Sequence, residues 1–331
     1  LNDSIFVARG EDIYLDIEGP SGERVATYCD SIAPESACTS VQLHLQVAPS
    51  EFAAHWNAAQ ALCAPQVALA ANSPFFFGKR LHAETRIELF KQATDTRPIE
   101  LKNQGVRPRV FFGERWITSI FDLFEENVRY FPTLLAETTD EDPMVKLEAG
   151  LAPELAELRL HNGTVYRWNR PIYDIPGGTP HLRVENRVLP AGPTIVDVLA
   201  NAAFYYGAIR MLAHEDRPVW TKMSFAACEE NFNRAARDGI DAHLYWPGFG
   251  ELSAEELMLR QGGVSDAVRE RFLGVIEGRC KTGVNGAVWS TRAVEAFEAS
   301  GCDRREALRR MLELYAVHMD SNEPVHTWPL P

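Results

Sequence analysis

Apolar and polar residues alternate over 181–188: Leu182, Val184 and Val188 share one parity, and His181, Arg183, Glu185 and Arg187 share the other. Side chains on a β-strand point to opposite faces in turn, so this spacing predicts a strand with one packed face and one polar face. A solvent-facing row would ordinarily carry Thr, Lys, Ser or Gln. Two guanidiniums flanking a carboxylate, with an imidazole beside them, suit an anionic substrate and a metal ion better. An exposed strand with cross-strand ion pairs is the plainer alternative. The segment 40–47 repeats the pattern, setting Gln42, His44 and Gln46 against Val41, Leu43, Leu45 and Val47. Taken alone, His44 reads more simply as a hydrogen-bonded core histidine, but the glutamines on either side favour a polar cavity. A third strand is expected over 155–160, running into 161–170, with Arg159 and His161 on one face.

Other elements follow from period and punctuation. Ile13 to Ile17 followed by Gly19-Pro20-Ser21-Gly22 predicts a hairpin, and Pro49-Ser50-Glu51 opens a helix over 50–71. The chain from residue 194 onward reads as helical, over 194–214, 225–237, 267–280, 291–299 and 303–318, the last opened by a capping-box-like Asp303-Arg304-Arg305-Glu306. Strand hairpins separate from helical blocks favour an α+β chain with an antiparallel sheet. Phe75, Phe76 and Phe77 are expected in the core, Glu125 and Glu126 on a solvated helical face, and Thr138 to Pro143 in a solvated connection. By composition, Arg86 and Arg97 read as surface arginines, and Asn72-Ser73-Pro74 as a capping turn.

Charge narrows the partners. The 331 residues are 46% hydrophobic and carry a net charge of -13, which argues against nucleic acid or an anionic membrane surface as partner. An anionic substrate must then be held by a local cluster of arginines. The six cysteines are scattered without a C-x-x-C pair, and no membrane-length apolar run occurs, so a reduced, cytoplasmic protein is expected. No internal repeat, G-x-G-x-x-G turn or P-loop lysine motif is found.

Four segments, in order, resemble the bacterial and plant type of glutamate-cysteine ligase, carboxylate-amine ligases related in fold to glutamine synthetase. Cys38-Thr39-Ser40-Val41-Gln42-Leu43-His44-Leu45 resembles the family strand that offers two polar side chains to a nucleotide. Ala71-Asn72-Ser73-Pro74-Phe75 is similar to the family's A-N-S-P-F turn, and Arg86 falls where the family has a downstream arginine. Gly163-Thr164-Val165-Tyr166 with Arg170-Pro171 is similar to its G-S-T segment followed by Arg-Pro, and Glu185-Asn186-Arg187 to its E-x-R strand. Each motif is modest alone; four in the right order are specific.

The resemblance implies a single catalytic domain over 1–331 with a helical C-terminal part from about 194, its antiparallel sheet curved into a half-funnel with helices on the outer face. It implies ATP- and Mg²⁺-dependent ligation of glutamate, through an acyl phosphate, to an amine such as cysteine. In that scheme Glu185 holds magnesium, and Gln42, His44, Asn72, Arg86 and Thr164 serve the nucleotide. Arg187, Arg183 and Arg170 meet the transferring phosphate or the substrate carboxylate. Small-molecule partners are implied, with oligomeric state open and a homo-oligomer included. Two departures stand out. Val188-Leu189-Pro190 replaces an expected Asp, and no G-x-E-x-E strand precedes Gln42, since Asp16-Ile17-Glu18 lies too close to it. An N-terminally truncated piece with an incomplete metal site is therefore expected. The alternatives are a non-catalytic nucleotide- or ligand-binding module on the same fold and, last, a metal-dependent hydrolase using His44, His161, His181 and Glu185, for which no zinc-ligand spacing is found.

Overall fold

A computed structural model describes residues 1–254 and 257. The chain divides into two compact units, Leu1–Gln60 with Ser73–Pro190, and Ala61–Asn72 with Ala191–Pro331. The first begins with α1 (Asn2–Arg9), the hairpin β1 (Ile13–Glu18) and β2 (Arg24–Cys29), the single turn α2 (Ala33–Ser36) and β3 (Leu43–Val47). Helix α3 (Phe52–Ala70) contributes its residues up to Gln60 to this unit. Next come β4 (Phe75–Phe76), β5 (Lys79–Arg80), α4 (Thr85–Ala93), α5 (Ile99–Asn103), β6 (Val110–Phe111), α6 (Ile120–Tyr130) and α7 (Pro143–Glu148). The unit closes with α8 (Ala156–Gly163), β7 (Tyr166–Arg167), β8 (Asn169–Asp174) and β9 (His181–Asn186). In the second unit, α9 (Ile195–Ala213) starts at a capping box between Thr194 and Asp197, ahead of α10 (Phe225–Asp238) and the hairpin β10 (His243–Trp246) and β11 (Gly250–Ser253). No helix among the described residues is long and apolar enough to cross a membrane. The expected helices over 267–280, 291–299 and 303–318 lie outside the described residues.

Helices and mostly antiparallel strands make this an α+β chain, and one small sheet organises the first unit. Its order is β3-β9-β8, with both pairings antiparallel. The register aligns His44, Glu185 and Arg170 across the three strands, and Leu45, Val184 and Pro171 in the next row. Paired residues share a face, so the sheet has a charged front and a packed back. The back carries Leu43, Val184 and a buried amide chain. Asn186 Nδ2 donates to Asn169 Oδ1 (2.9 Å), Asn169 Nδ2 to Gln60 Oε1 (2.7 Å), and Gln60 Nε2 to the Phe112 carbonyl (2.7 Å). The Trp56 indole N–H donates to the Asn169 carbonyl at 2.9 Å, so α3 is joined to the back of the sheet by directional bonds as well as packing.

The structure corrects four expectations, one of them the surface placement of Arg86, which is buried. Residues 155–160 are not a strand: Ala156–Gly163 is helix α8. Ala, Glu, Leu and Arg are strong helix formers, and the Glu141 carboxylate accepts the N–H groups of Glu154 and Leu155 (3.1 and 3.0 Å) at the helix entry, so propensity and a side-chain anchor outweigh a short alternation. The three phenylalanines do not lie together in the core. Phe76 pairs with Lys79 across a two-residue turn in which Phe77 (φ 46°) and Gly78 (φ 74°) are both left-handed, leaving Phe75 and Phe77 each 67% exposed.

Third, Glu126 is buried rather than solvated, 2.9 Å from Arg167 Nη1. Arg167 also donates to Asn127 Oδ1 and the Leu123 carbonyl, which ties β7 to α6. Burial pushes the Glu126 carboxyl up, against the pull of Arg167. Glu126→Ala leaves a buried guanidinium without its counter-ion. It is expected to lower unfolding stability by about 3–5 kcal/mol in a denaturant titration, and a loss near zero contradicts the buried-pair reading.

Candidate functional site

The front of the β3-β9-β8 sheet is built around Glu185. Strand alternation turns its carboxylate to the same side as Arg183, and β9 lies in the middle of the sheet, so Glu185 has Arg170 on one side and His44 on the other and is 2% exposed. Arg170 on β8 grips it from one side, Nε to Oε2 at 2.6 Å and Nη2 to Oε1 at 3.3 Å. From β3, His44 Nε2 approaches Oε1 at 3.5 Å, its side chain 38% exposed. One row along, Arg183 Nη2 reaches Asp174 Oδ2 at 3.0 Å, and Asp174 also meets Arg159 at 3.4 Å.

Arg187 follows β9. Its N–H donates to the Trp168 carbonyl at 2.8 Å, which carries the ladder one step further, and its guanidinium lies 6.0 Å from the Tyr166 ring centre. Two donors of this face, Arg187 Nη1 and Arg183 Nε, are buried with no hydrogen-bond partner in the structure. Buried polar groups are nearly always paired, so each has capacity for an acceptor, as has Arg167 Nε in the structural pair with Glu126.

The electrostatics agree. Burial depresses the His44 pKa below its ordinary value; Glu185 pulls it up, while Arg183, Arg170 and Arg187 push it further down. His44 therefore stands on this face as a neutral imidazole at pH 7. The Arg187 pKa is lowered first by burial and then by repulsion from Arg170. The face holds more positive charge than its one buried carboxylate balances.

Of the other residues singled out from the sequence, Gln42 is exposed just before β3, on the parity of His44. Asn72, in the second unit, donates from Nδ2 to the Ala191 carbonyl at 3.0 Å. Thr164 is buried at the end of α8, where its hydroxyl donates to the His161 carbonyl (2.8 Å) and accepts from Arg109 Nη1 (3.2 Å). Arg86 is buried rather than on the surface, with its guanidinium turned toward main-chain carbonyls. Asp174 was not singled out from the sequence, although its two-residue steps from Arg170 place it on the same face of β8. Glu35 on α2 was also missed. Burial raises its carboxyl pKa while Arg187 pulls it down, and its lone turn carries no periodic signal.

A metal ion fits less well than an anion. Among the described residues no three His, Cys, Asp or Glu side chains are grouped so as to hold a metal, and both Glu185 oxygens already face Arg170. The arrangement suits a polyanion, such as a chain of phosphates or a carboxylate, received by Arg183 and Arg187.

The model of glutamate-cysteine ligase family 2 matches residues 23–313, a stretch that takes in all three strands of the sheet. Comparison with curated proteins gives no match.

The His44 environment makes a signed prediction. A proton titration of the His44 ring by NMR should give a midpoint below the ordinary histidine value, and Glu185→Gln should lower it further, because the carboxylate pulls it up. A rise on Glu185→Gln contradicts the geometry. The linkage has a definite sign as well. A depressed histidine destabilises the folded state as pH falls through the unfolded value near 6.5, so His44→Asn should reduce the loss of stability below about pH 6.5 and leave stability above pH 7.5 unchanged.

Proposed function

The chain belongs to glutamate-cysteine ligase family 2, and on that premise we propose that it joins the γ-carboxylate of glutamate to an amine, such as cysteine, as ATP is cleaved to ADP and phosphate. Membership implies a ligase-type enzyme working on small molecules. The observation that carries the finer reading is the pair of buried, unpartnered guanidinium donors, Arg187 Nη1 and Arg183 Nε, on a face where Arg170, Arg183 and Arg187 meet the carboxylates of Glu185 and Asp174.

In the proposed reaction, a glutamate carboxylate oxygen forms a bond to the γ-phosphorus. The bond to the bridging oxygen breaks, and its electron pair leaves with ADP. The amine nitrogen then bonds to the acyl-phosphate carbon, phosphate departs with the C–O electron pair, and the nitrogen loses a proton to give the amide. An anion attacking a polyanion needs its charge offset in both steps, so positioning and fixed positive charge are the protein's main contribution.

Arg187 and Arg183 are assigned to the transferring phosphoryl oxygens. Arg170, anchored on Glu185, is assigned to the substrate carboxylate or the released phosphate. His44, kept neutral, and Gln42 approach the nucleotide as hydrogen-bonding groups. Glu185, whose two oxygens already face Arg170, is assigned to anchoring that arginine on the face. The family match across 23–313 supports reading the chain as one carboxylate-amine ligase domain, with the β3-β9-β8 sheet as part of a glutamine synthetase-like half-funnel. A cytoplasmic location suits these substrates.

A second reading is a ligand-binding module without turnover, and the engagement of Glu185 by Arg170 is the observation that favours it. A coupled ADP-release assay of the whole chain with glutamate and a panel of amines separates the two. The ligase reading expects release that needs both glutamate and an amine, lost in Glu185→Gln and about 10²–10³-fold slower in Arg187→Met. Unchanged turnover in Glu185→Gln would sink the assignment, and nucleotide binding without release favours the module.

A further inference from the structure

The peptide that carries Arg187 is held by a second arginine. Arg86 Nη2 donates to the main-chain carbonyls of Arg187 (3.0 Å) and Val188 (2.7 Å), just where β9 has ended. Arg86 is 4% exposed, its Nε is 3.2 Å from Glu84 Oε1, and Glu84 is fully buried. The guanidinium lies 5.6 Å from the centre of the Trp168 ring, and Trp168 gives its carbonyl to the Arg187 N–H. Arg187 is thus bonded at both its N–H and its carbonyl by neighbours that also touch each other.

Arg86 is itself held by the turn that ends the preceding segment. Ser73 Oγ accepts the Arg86 N–H (3.2 Å), the Ser73 carbonyl accepts the Thr85 N–H (3.1 Å), and the Ser73 N–H donates to the Ala83 carbonyl (3.3 Å). On the other flank the Val41 N–H donates to the Leu189 carbonyl at 3.2 Å, which joins the residues before β3 to the same stretch. Three segments distant in sequence, around 41, 73–86 and 187–189, meet on one short run of main chain.

We propose that Arg86 is a positioning residue: with Ser73 and Glu84 it forms a buried bracket that fixes the peptide of Arg187, and so aims the Arg187 guanidinium at an anion, without touching the ligand itself. The chemistry explains the residue type. Carbonyls beyond the end of a ladder must find donors, and a planar guanidinium can serve two acceptors and a carboxylate at once, whereas an ammonium is a point charge on a flexible stem. The role in ligand binding rests on the reading of the β9 face as a phosphate surface; the bracket does not.

The test uses the whole chain with Arg86→Met, Arg86→Lys, Arg187→Met and the Arg86/Arg187 double variant, each first checked for cooperative unfolding. Arg86→Met should speed amide exchange at Arg187 and Val41 by about tenfold or more while leaving the far end of the sheet, at Val47 and Leu182, unchanged, with Arg86→Lys in between. Tripolyphosphate, titrated calorimetrically, should bind about tenfold more weakly to Arg86→Met, and the double variant no more weakly than Arg187→Met alone, since coupled residues are not additive. Additive losses would mean that Arg86 meets the ligand directly and would overturn the proposal, as would unchanged exchange at Arg187. If the unaltered protein ignores tripolyphosphate, the phosphate-face reading fails, and the exchange rates still decide the bracket. Should Arg86→Met not fold, Arg86→Lys carries both measurements.

Discussion

A carboxylate removed from water must be compensated where it lies, and Glu185 sets that condition for the first unit. Its position in the middle strand leaves it 2% exposed, and the bond at 2.6 Å from Arg170 is what makes the burial tolerable. The pairing also selects the register. A shift of one residue would turn Glu185 onto the amide-lined back face and move Val184 to the front, exchanging a satisfied ion pair for a stranded charge. The positions of His44, Arg183 and Asp174 follow from that one alignment.

The two faces use polarity differently. Behind the sheet, Asn186, Asn169 and Gln60 form a relay in which each side-chain amide N–H donates to a carbonyl oxygen, ending on the Phe112 main chain. That network faces inward and joins the strands to α3 through Gln60 and Trp56. In front, two guanidinium donors are buried and left unpaired, an arrangement that costs stability unless a ligand completes it. Strain of this kind concentrates at working sites, because a site organised in advance for a charged ligand cannot also be satisfied without it.

The polar row of β9 was legible because period two survives burial: the residues that alternate are the residues that share the front face. The 50–71 helix and the 194–214 helix were legible from period and punctuation, close to the observed Phe52–Ala70 and Ile195–Ala213. What stayed hidden depends on partners far along the chain. Glu126 looks like half of a solvated pair until Arg167, forty-one residues on, is seen to bury it, and Arg86 looks like a surface arginine until the carbonyls of Arg187 and Val188 supply its acceptors. The 155–160 alternation misled because six residues fit either period, and the anchor that decided it, Glu141, lies upstream of α7, a full helix before α8.

The central claim, that the β9 face receives phosphate through Arg183 and Arg187, is most directly tested by observing those side chains. Nitrogen-15 spectra of the arginine Nε–H groups, recorded while tripolyphosphate is added, should show the Arg183 and Arg187 signals moving together and saturating, with the buried Arg167 and the exposed Arg24, paired with Asp16 on the β1-β2 hairpin, unmoved. Signals of Arg183 and Arg187 that stay in place while the ligand binds elsewhere, or move no more than that of Arg24, would contradict the account.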